Sequence, residues 1–301
     1  MGNFEEKKYK LERLKILLLF IGAASTFLTF SLPFVYQREQ QMNLYFSEAL
    51  QRLGDANAAV RATSAIDLIN LHRYRRYFGI GPKPFEKRCE FVLINSLMKK
   101  DEEEFVRQAI IHAIIDMNPQ ALEGARLKGA NLSGLDLRGI SFKKADLSFA
   151  NLSRATAAGP GASDYPANFE YANFMYANMK DTEFMHATFE GALLEGTDLS
   201  GSRLWHSTNL RKCLLIGTNL TNANLSGPGQ QGANLEEAII DGAILNNTDL
   251  SHTFLDGATF KNISKWDDKT NFKDATCENA IFDTFSDFYK WGRKKFPNCF
   301  K

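Results

Sequence analysis

The residues best spaced to do chemistry are two histidines, His186 and His206, which lie 20 residues apart in a part of the chain that repeats every five residues. Two imidazoles at such a spacing can begin a metal site. The positions 20 residues before and after them hold Pro166 and Ser226, which supply no good metal ligand. We therefore interpret the two histidines as solvated surface residues, with a metal site as the less favoured alternative, and we expect no cofactor.

A second set of residues indicates binding rather than catalysis. Tyr165, Met185 and Trp205 also recur at steps of 20 residues, in positions expected to face outward. Exposed apolar clusters are the usual mark of a partner surface. The candidate partner-binding residues are Tyr165, Tyr171, Met175, Tyr176, Met185 and Trp205. The alternative is that the neighbouring loop, residues 156–166, folds over these side chains and buries them.

Motifs for catalysis are absent from the sequence. It has no nucleophile elbow, phosphate-binding loop, paired-cysteine motif or metalloprotease helix, and its five histidines are scattered. The four cysteines show neither metal-ligand spacing nor a dense disulfide framework, and Cys213 and Cys277 fall at inward positions, where we interpret them as core residues. We predict that the protein is not an enzyme.

These candidates belong to a five-residue repeat that extends from about residue 120 to residue 282. The repeat has 28 units; Leu or Phe fills 25 of their centres, and Ala, Thr, Ser or Cys fills the position two residues earlier in 25. A period of five matches neither the helical period of 3.6 nor the strand period of 2. It suits a coil that turns a corner every five residues, with the centre and the small residue inward and the other three positions in water.

The repeat resembles that of the pentapeptide-repeat family, A(N/D)LXX, as in GANLSG and KADLSFANLS. The resemblance covers a little over half of the chain. It implies a mainly β fold, a right-handed quadrilateral β-helix over residues 119–282 with four units per coil. Seven coils at a strand spacing of about 4.8 Å would form a rod of roughly 34 Å. Loops at 156–166 and 226–232 interrupt the repeat, and residues 283–301 are predicted to cap its last coil.

The amino-terminal sequence predicts a membrane anchor. After a basic tail, residues 1–15, the 21 residues 16–36 carry no charge, which is long enough for a transmembrane helix across a bilayer core of about 30 Å. A cleaved signal peptide is the alternative. Five basic residues precede the apolar run and only two follow it closely. The positive-inside rule then predicts a single-pass protein with its amino terminus in the cytoplasm and most of the chain extracytoplasmic.

Residues 37–118 have helical spacing and a weaker repeat of their own. The segment DANAAVRATSAIDLI, residues 55–69, aligns with DEEEFVRQAIIHAII, residues 101–115, at an offset of 46 residues. That period fits HEAT or armadillo arrays, so we predict a small α-helical HEAT-like domain. We interpret it as a cap on the open first coil, with a binding platform as the alternative.

The sequence therefore favours a membrane-anchored, non-enzymatic scaffold or protein-protein interaction module that presents a rigid β-helix face to an unidentified partner protein. The resemblance adds an alternative, since some pentapeptide-repeat proteins mimic DNA and bind topoisomerases. Such surfaces are strongly acidic, whereas residues 122–282 carry 14 basic and 19 acidic residues. With 36 basic and 35 acidic residues in all, we expect no nucleic-acid partner. The resemblance also allows a homodimer through the C-terminal end.

Overall fold

The computed structural model describes residues 37, 40–78, 84–99, 101–157, 166–227 and 232–300, and of residues 74–78 and 84–86 it describes the backbone alone. Its first part is helical. Helix α1 includes residues 40–52. It is followed by α2 (Ala58–Phe78), α3 (Pro84–Leu97) and α4 (Glu104–Met117). The predicted helical region ahead of the repeats is thus confirmed.

The predicted single-pass membrane location is wrong. None of the described helices is both long and apolar enough to cross a bilayer. The predicted span itself, residues 16–36, lies outside the described residues, as does the basic tail 1–15. The predicted side of the membrane, with most of the chain extracytoplasmic, falls with it.

Helices α2 and α4 pack against each other because each presents an apolar stripe at helical spacing. In α4 this stripe includes the buried residues Val106, Ile110 and Ile114. A paired charge fixes their relative position: Arg61 of α2 donates from Nε to the Oε2 atom of Glu102 at 3.0 Å, just before α4 begins. Glu102 is buried, so its carboxylate depends on this guanidinium for compensation.

Beyond the helices, successive turns of the chain pair with each other through parallel bridges. In the first coils the paired residues are 20 apart, as Arg126 is from Asp146, so each coil contains four five-residue units. This confirms the predicted repeat fold. We number the sides by their first paired residue: side 1 begins at Arg126, side 2 at Asn131, side 3 at Asp136 and side 4 at Ser141. Corner 1/2 joins sides 1 and 2, and the other corners are named likewise.

Side 1 has the longest row of paired residues in the described β-helix. Its paired residues are Arg126, Asp146, Asn173, Leu193, Leu214, Ile239, Thr259 and Ile281. The last pairing on this side is the longest in the described part of the β-helix, where strand β1 (Thr259–Phe260) runs parallel to β2 (Ile281–Phe282).

Unit 172–176 shows why these residue types form a corner. Phe174, at its centre, is buried, and Asn173 faces outward. The Asn173 Oδ1 atom accepts a hydrogen bond from the backbone N–H of Met175 at 3.0 Å, which starts the bend. The N–H two residues after Met175 then donates to the Phe174 carbonyl at 2.9 Å, and Tyr176 has a positive φ of 58°. Asn or Asp before the centre therefore has a structural purpose in each unit.

The inward small residues bond to the preceding coil. Thr197 Oγ1 donates to the Phe174 carbonyl at 2.8 Å, and Cys213 Sγ donates to the Phe189 carbonyl at 2.9 Å in the same way. Burial raises the pKa of the Cys213 thiol to about 12, so this cysteine is a core residue without thiolate reactivity at neutral pH.

Three register breaks fall at corner 3/4. The offset between paired residues is 20 in regular coils and becomes 27, 21 and 25 at these three breaks, each of which lies between side 3 and side 4. The first and third coincide with the loops 156–166 and 226–232, of which residues 158–165 and 228–231 lie outside the described part. Side 1 runs without interruption from Arg126 to Thr259.

Both ends of the β-helix are covered. At the first coil, Asp136 has no coil before it, and the Gln108 side chain of α4 takes that place: its Oε1 accepts from Asp136 N at 2.8 Å and its Nε2 donates to Asp136 O at 3.2 Å. At the last coil lies α5 (Asp287–Lys295), with Phe288 buried against the final units. At the first coil, the Gln108 side-chain amide thus reproduces the pair of hydrogen bonds that a preceding coil would make.

We expect Gln108→Met to lower the free energy of unfolding by about 1–2 kcal/mol. Methionine keeps the length of the side chain but leaves the N–H and C=O of Asp136 without protein partners. Urea unfolding followed by circular dichroism measures the change. Gln120→Met, at an exposed glutamine, is the control and should have no measurable effect. Equal stability of the two variants would contradict this account of the junction.

A disulfide joins Cys277, in the last coil, to Cys299, after α5. The interpretation of Cys277 as a simple core residue is therefore wrong. The bond fastens the C-terminal segment to the rod, because the chain leaves the coil at Phe282, forms α5 and returns to within disulfide distance of side 4.

Candidate functional site

The structure distributes the predicted partner-binding residues over three corners. Tyr171 lies at corner 4/1, and Met175 and Tyr176 lie at corner 1/2, where they flank side 1. The two tyrosines are 54% and 53% exposed. Met185 and Trp205 lie at corner 3/4, diagonally across the rod from corner 1/2. Tyr165 lies outside the described residues. The structure thus brings Tyr171, Met175 and Tyr176 to one side and leaves Met185 and Trp205 on another.

Corner 3/4 holds a stack of aromatic rings. The rings of His186 and His206 are nearly parallel with centroids 5.3 Å apart, and the Trp205 ring lies 4.1 Å from His206. Burial, and secondly the neighbouring His206, lower the pKa of His186 below its ordinary value. Among the described residues no group of three or more ligand-type side chains converges. The stack is therefore a packing arrangement of rings, and the described residues around it form no three-ligand cage.

Side 1 collects the large apolar side chains that the β-helix exposes. Five such side chains of the described β-helix are exposed: Phe149, Tyr171, Tyr176, Ile216 and Ile281. All five lie on side 1 or at its two corners. Phe149 is 56% exposed and stacks on Tyr176 with ring centroids 5.5 Å apart. An apolar surface gathered on one side of the rod and its corners is the type of feature that marks a binding face.

Three of these aromatic residues lie at left-handed corners. Phe149, Tyr171 and Tyr176 have φ values of 58°, 56° and 58°. Later coils place Gly191 and Gly196 at the same corners, and many other residues of the described β-helix, such as Lys144, share this φ. The left-handed conformation is therefore a feature of the turn itself.

The two tyrosine rings are held in place by those glycines. A Cβ atom added at Gly191 would lie 2.5 Å from Cε1 of Tyr171, and one at Gly196 would lie 2.6 Å from Cδ1 of Tyr176. One edge of each ring therefore lies against the corner of the next coil. Between them, on side 1 of that coil, is the outward side chain of Leu193.

An outward apolar row continues from this point. Leu193, Leu214 and Ile239 are paired in succession on side 1, and all three are partly exposed. Each occupies the slot in which Asn or Asp starts the bend of other units, as Asn173 does for Met175. Three consecutive coils on this side lack that hydrogen bond and present an aliphatic side chain to solvent instead.

Sequence reasoning missed this row, together with Phe149, Ile216 and Ile281, although a signal was present. Once 20 residues are known to make one coil, three aliphatic residues are seen at positions of one side where Asn or Asp is usual: Leu193, Leu214 and Ile239. The insertions hide the pattern, because they change the spacing of these residues to 21 and 25.

The geometry defines a class of protein: a four-sided β-helix of five-residue units that carries an apolar side wall. The sequence model of the family described as Pentapeptide repeats matches eight copies over residues 122–156, 167–204, 206–227 and 231–264. The repeat region of this chain is therefore similar to the pentapeptide-repeat family over these residues. No curated protein matches the chain.

Several solved structures are similar to the repeat region. The pentapeptide repeat protein Rfr23 from the cyanobacterium Cyanothece 51142 is 28% identical, over 46% of this chain and 88% of that one, with a TM-score of 0.28. HetL from Nostoc sp. strain PCC 7120, involved in heterocyst differentiation regulation, is 23% identical over 53% and 73%, with a TM-score of 0.23. QnrB1, a plasmid-mediated fluoroquinolone resistance protein, is 14% identical over 54% and 88%, with a TM-score of 0.25.

Proposed function

We propose that the protein is a non-enzymatic interaction module whose β-helix presents side 1 to a partner protein. One observation carries the proposal: the exposed large apolar side chains of the described β-helix all lie on side 1 or its corners. The binding residues would be Tyr171, Met175 and Tyr176 together with Phe149. Met185 and Trp205 would form a separate, smaller contact surface at corner 3/4.

The rigidity of the wall supports this function. On side 1 the backbone groups are bonded to the neighbouring coils, as when Leu214 N donates to Ala192 O at 3.0 Å and Leu194 N donates to Leu214 O at 2.8 Å. A surface that is already ordered loses little conformational entropy on association. The DNA-mimic alternative is less well supported, because the centre of side 1 is apolar.

The helical region has a supporting function in this proposal. We propose domains at residues 37–118 and 119–282, with a cap at 283–301, and we propose that α2 and α4 form a HEAT-like pair. Val60 and Arg61 of α2 correspond to Val106 and Arg107 of α4 at the 46-residue offset. Because Gln108 of α4 bonds to the first coil, this pair closes the rod and holds side 1 in a fixed register.

Site-specific photo-crosslinking in the native host tests the proposed function. A photoreactive phenylalanine analogue at position 176 should crosslink to another protein, whereas the same analogue at exposed Lys180, on corner 2/3 of the same coil, should not. A matched pair of analogues at 185 and 205 tests the corner 3/4 surface. Crosslinks only from 180, or from none of these positions, would refute the proposal.

A further inference from the structure

Side 1 contains a narrow apolar shelf, which we define as the outward side chains of Leu193, Leu214 and Ile239 with Gly217 and Gly242 beside them at corner 1/2. A Cβ atom added at Gly217 would meet nothing within 4 Å, so there is open space at this corner. Ile216, which is 38% exposed, extends the apolar surface at the same corner. The shelf therefore has an aliphatic floor and one edge at which two glycines leave space.

The backbone of the shelf leaves no free edge for an added β-strand, whereas the spacing of its three rows suits an α-helix. The floor residues already bond to the coils on both sides: Leu214 N donates to Ala192 O at 3.0 Å, and Leu215 N donates to Ile239 O at 2.7 Å. An added β-strand would therefore find no free edge. Adjacent rows are about 4.8 Å apart, so the three rows span about 10 Å, which is close to two turns of an α-helix at 5.4 Å each.

The rim of the shelf is acidic. Five carboxylates border its three rows, at Glu190, Glu195, Glu236, Glu237 and Asp241. Two cations, Arg211 and Lys212, share the rim and already pair with these acids: Arg211 Nη2 lies 3.1 Å from Glu237 Oε1, and Lys212 Nζ lies 3.7 Å from Glu237 Oε2. The remaining excess of negative charge favours an occupant with basic flanks.

We propose that the shelf binds an amphipathic α-helix of a partner protein, lying along the rod axis. Its apolar residues at positions i, i+3 or i+4, and i+7 contact Leu193, Leu214 and Ile239, and lysine or arginine beside them faces the acidic rim. The inference rests on the proposed function of side 1 and specifies the shape and charge of its partner.

Fluorescence anisotropy of the full chain with defined peptides tests this. The probe is a labelled 15-residue leucine–lysine peptide with leucines at helical spacing. One control peptide has the same composition with leucine and lysine alternating, and a second replaces lysine by glutamate. We expect both controls to bind at least about tenfold more weakly than the probe. Equal binding of probe and alternating peptide would overturn the proposal.

Matched variants locate the binding on the protein. Leu214→Asp should weaken binding of the probe by about tenfold or more, because a carboxylate replaces the centre of the floor. Ile244→Asp places the same carboxylate in the equivalent slot of side 2 and should leave binding within about twofold. Leu193→Asp repeats the test at a second outward position, and circular dichroism verifies the fold of each variant.

The outcomes separate the two proposals. Equal losses in the side 1 and side 2 variants would overturn the helix site. Crosslinking from position 176 without selective binding of the probe would overturn the helical occupant and keep side 1 as an interface. Selective binding of the probe without any crosslink from position 176 would leave the helix site standing and contradict the proposed function.

Discussion

We expect Phe169→Ala to lower the free energy of unfolding by about 3–5 kcal/mol, the range for truncation of a buried phenylalanine. Phe169 is fully buried and lies at the centre of a ring cluster. Its centroid is 5.4 Å from that of Phe142 in the coil before and 4.7 Å from that of Phe189 in the coil after. Rings at 5.5 Å and 5.3 Å, of Phe174 and Phe184, complete the cluster. Alanine would leave a cavity that rigid coils cannot close.

Phe149→Ala is the matched control, because Phe149 is the same residue type in the same coil but is 56% exposed. We expect a change within about 0.5 kcal/mol, because the ring is exposed and alanine keeps the Cβ atom at this left-handed corner. Urea unfolding of both variants measures the contrast. A loss for Phe149→Ala as large as that for Phe169→Ala would show that the exposed aromatic row is part of the core.

The inward half of the β-helix could be predicted from sequence because each position obeys one rule. A residue such as Phe169 must be large to fill the axis, and Thr197, two before a centre, must be small. Those demands recur every five residues, so the period alone indicates a coil. The order of the four sides follows only when the coil length is constant. Insertions at corner 3/4 change that length, and for this reason the side on which a residue lies could not be read reliably.

The outward half shows the limit of the same reasoning. The sequence predicts Tyr171 and Tyr176 as exposed apolar residues, but it groups Met185 and Trp205 with them, although these two lie at corner 3/4. That grouping takes adjoining units as one surface, whereas each new unit turns the chain to another side. Consecutive units are therefore poor neighbours on the surface, and residues one coil apart are good ones.

The C-terminal disulfide could not be predicted for a related reason. Cys277 fits the repeat as an inward centre, and nothing in the period tells where the chain goes after the last unit. The return of Cys299 depends on α5 packing under the final coil. That contact is set by aromatic residues outside the repeat, which place Phe300 4.2 Å from Phe282 between ring centroids.

Reduction of the Cys277–Cys299 disulfide should detach the C-terminal cap before the rod unfolds. The bond closes a segment of 22 residues, for which chain entropy predicts a contribution of about 3 kcal/mol. The cap itself covers the last coil: Phe288 and Phe300 are buried, and the Phe300 ring lies 5.2 Å from that of Phe272. Without the bond, aromatic contacts such as this one and polar contacts such as the one between Lys295 and Asp268 hold the segment.

Limited proteolysis with trypsin, with and without a reducing agent, measures the effect at Arg293, Lys294 and Lys295. We expect cleavage there to become faster by about tenfold or more on reduction, while the β-rich circular dichroism is retained. Cys299→Ser is the control, because it should be cleaved rapidly in both conditions and show no response to the reductant. Cleavage that reduction does not change would show that aromatic packing alone retains the cap, and collapse of the β signal on reduction would show that the cap and the rod unfold as one unit.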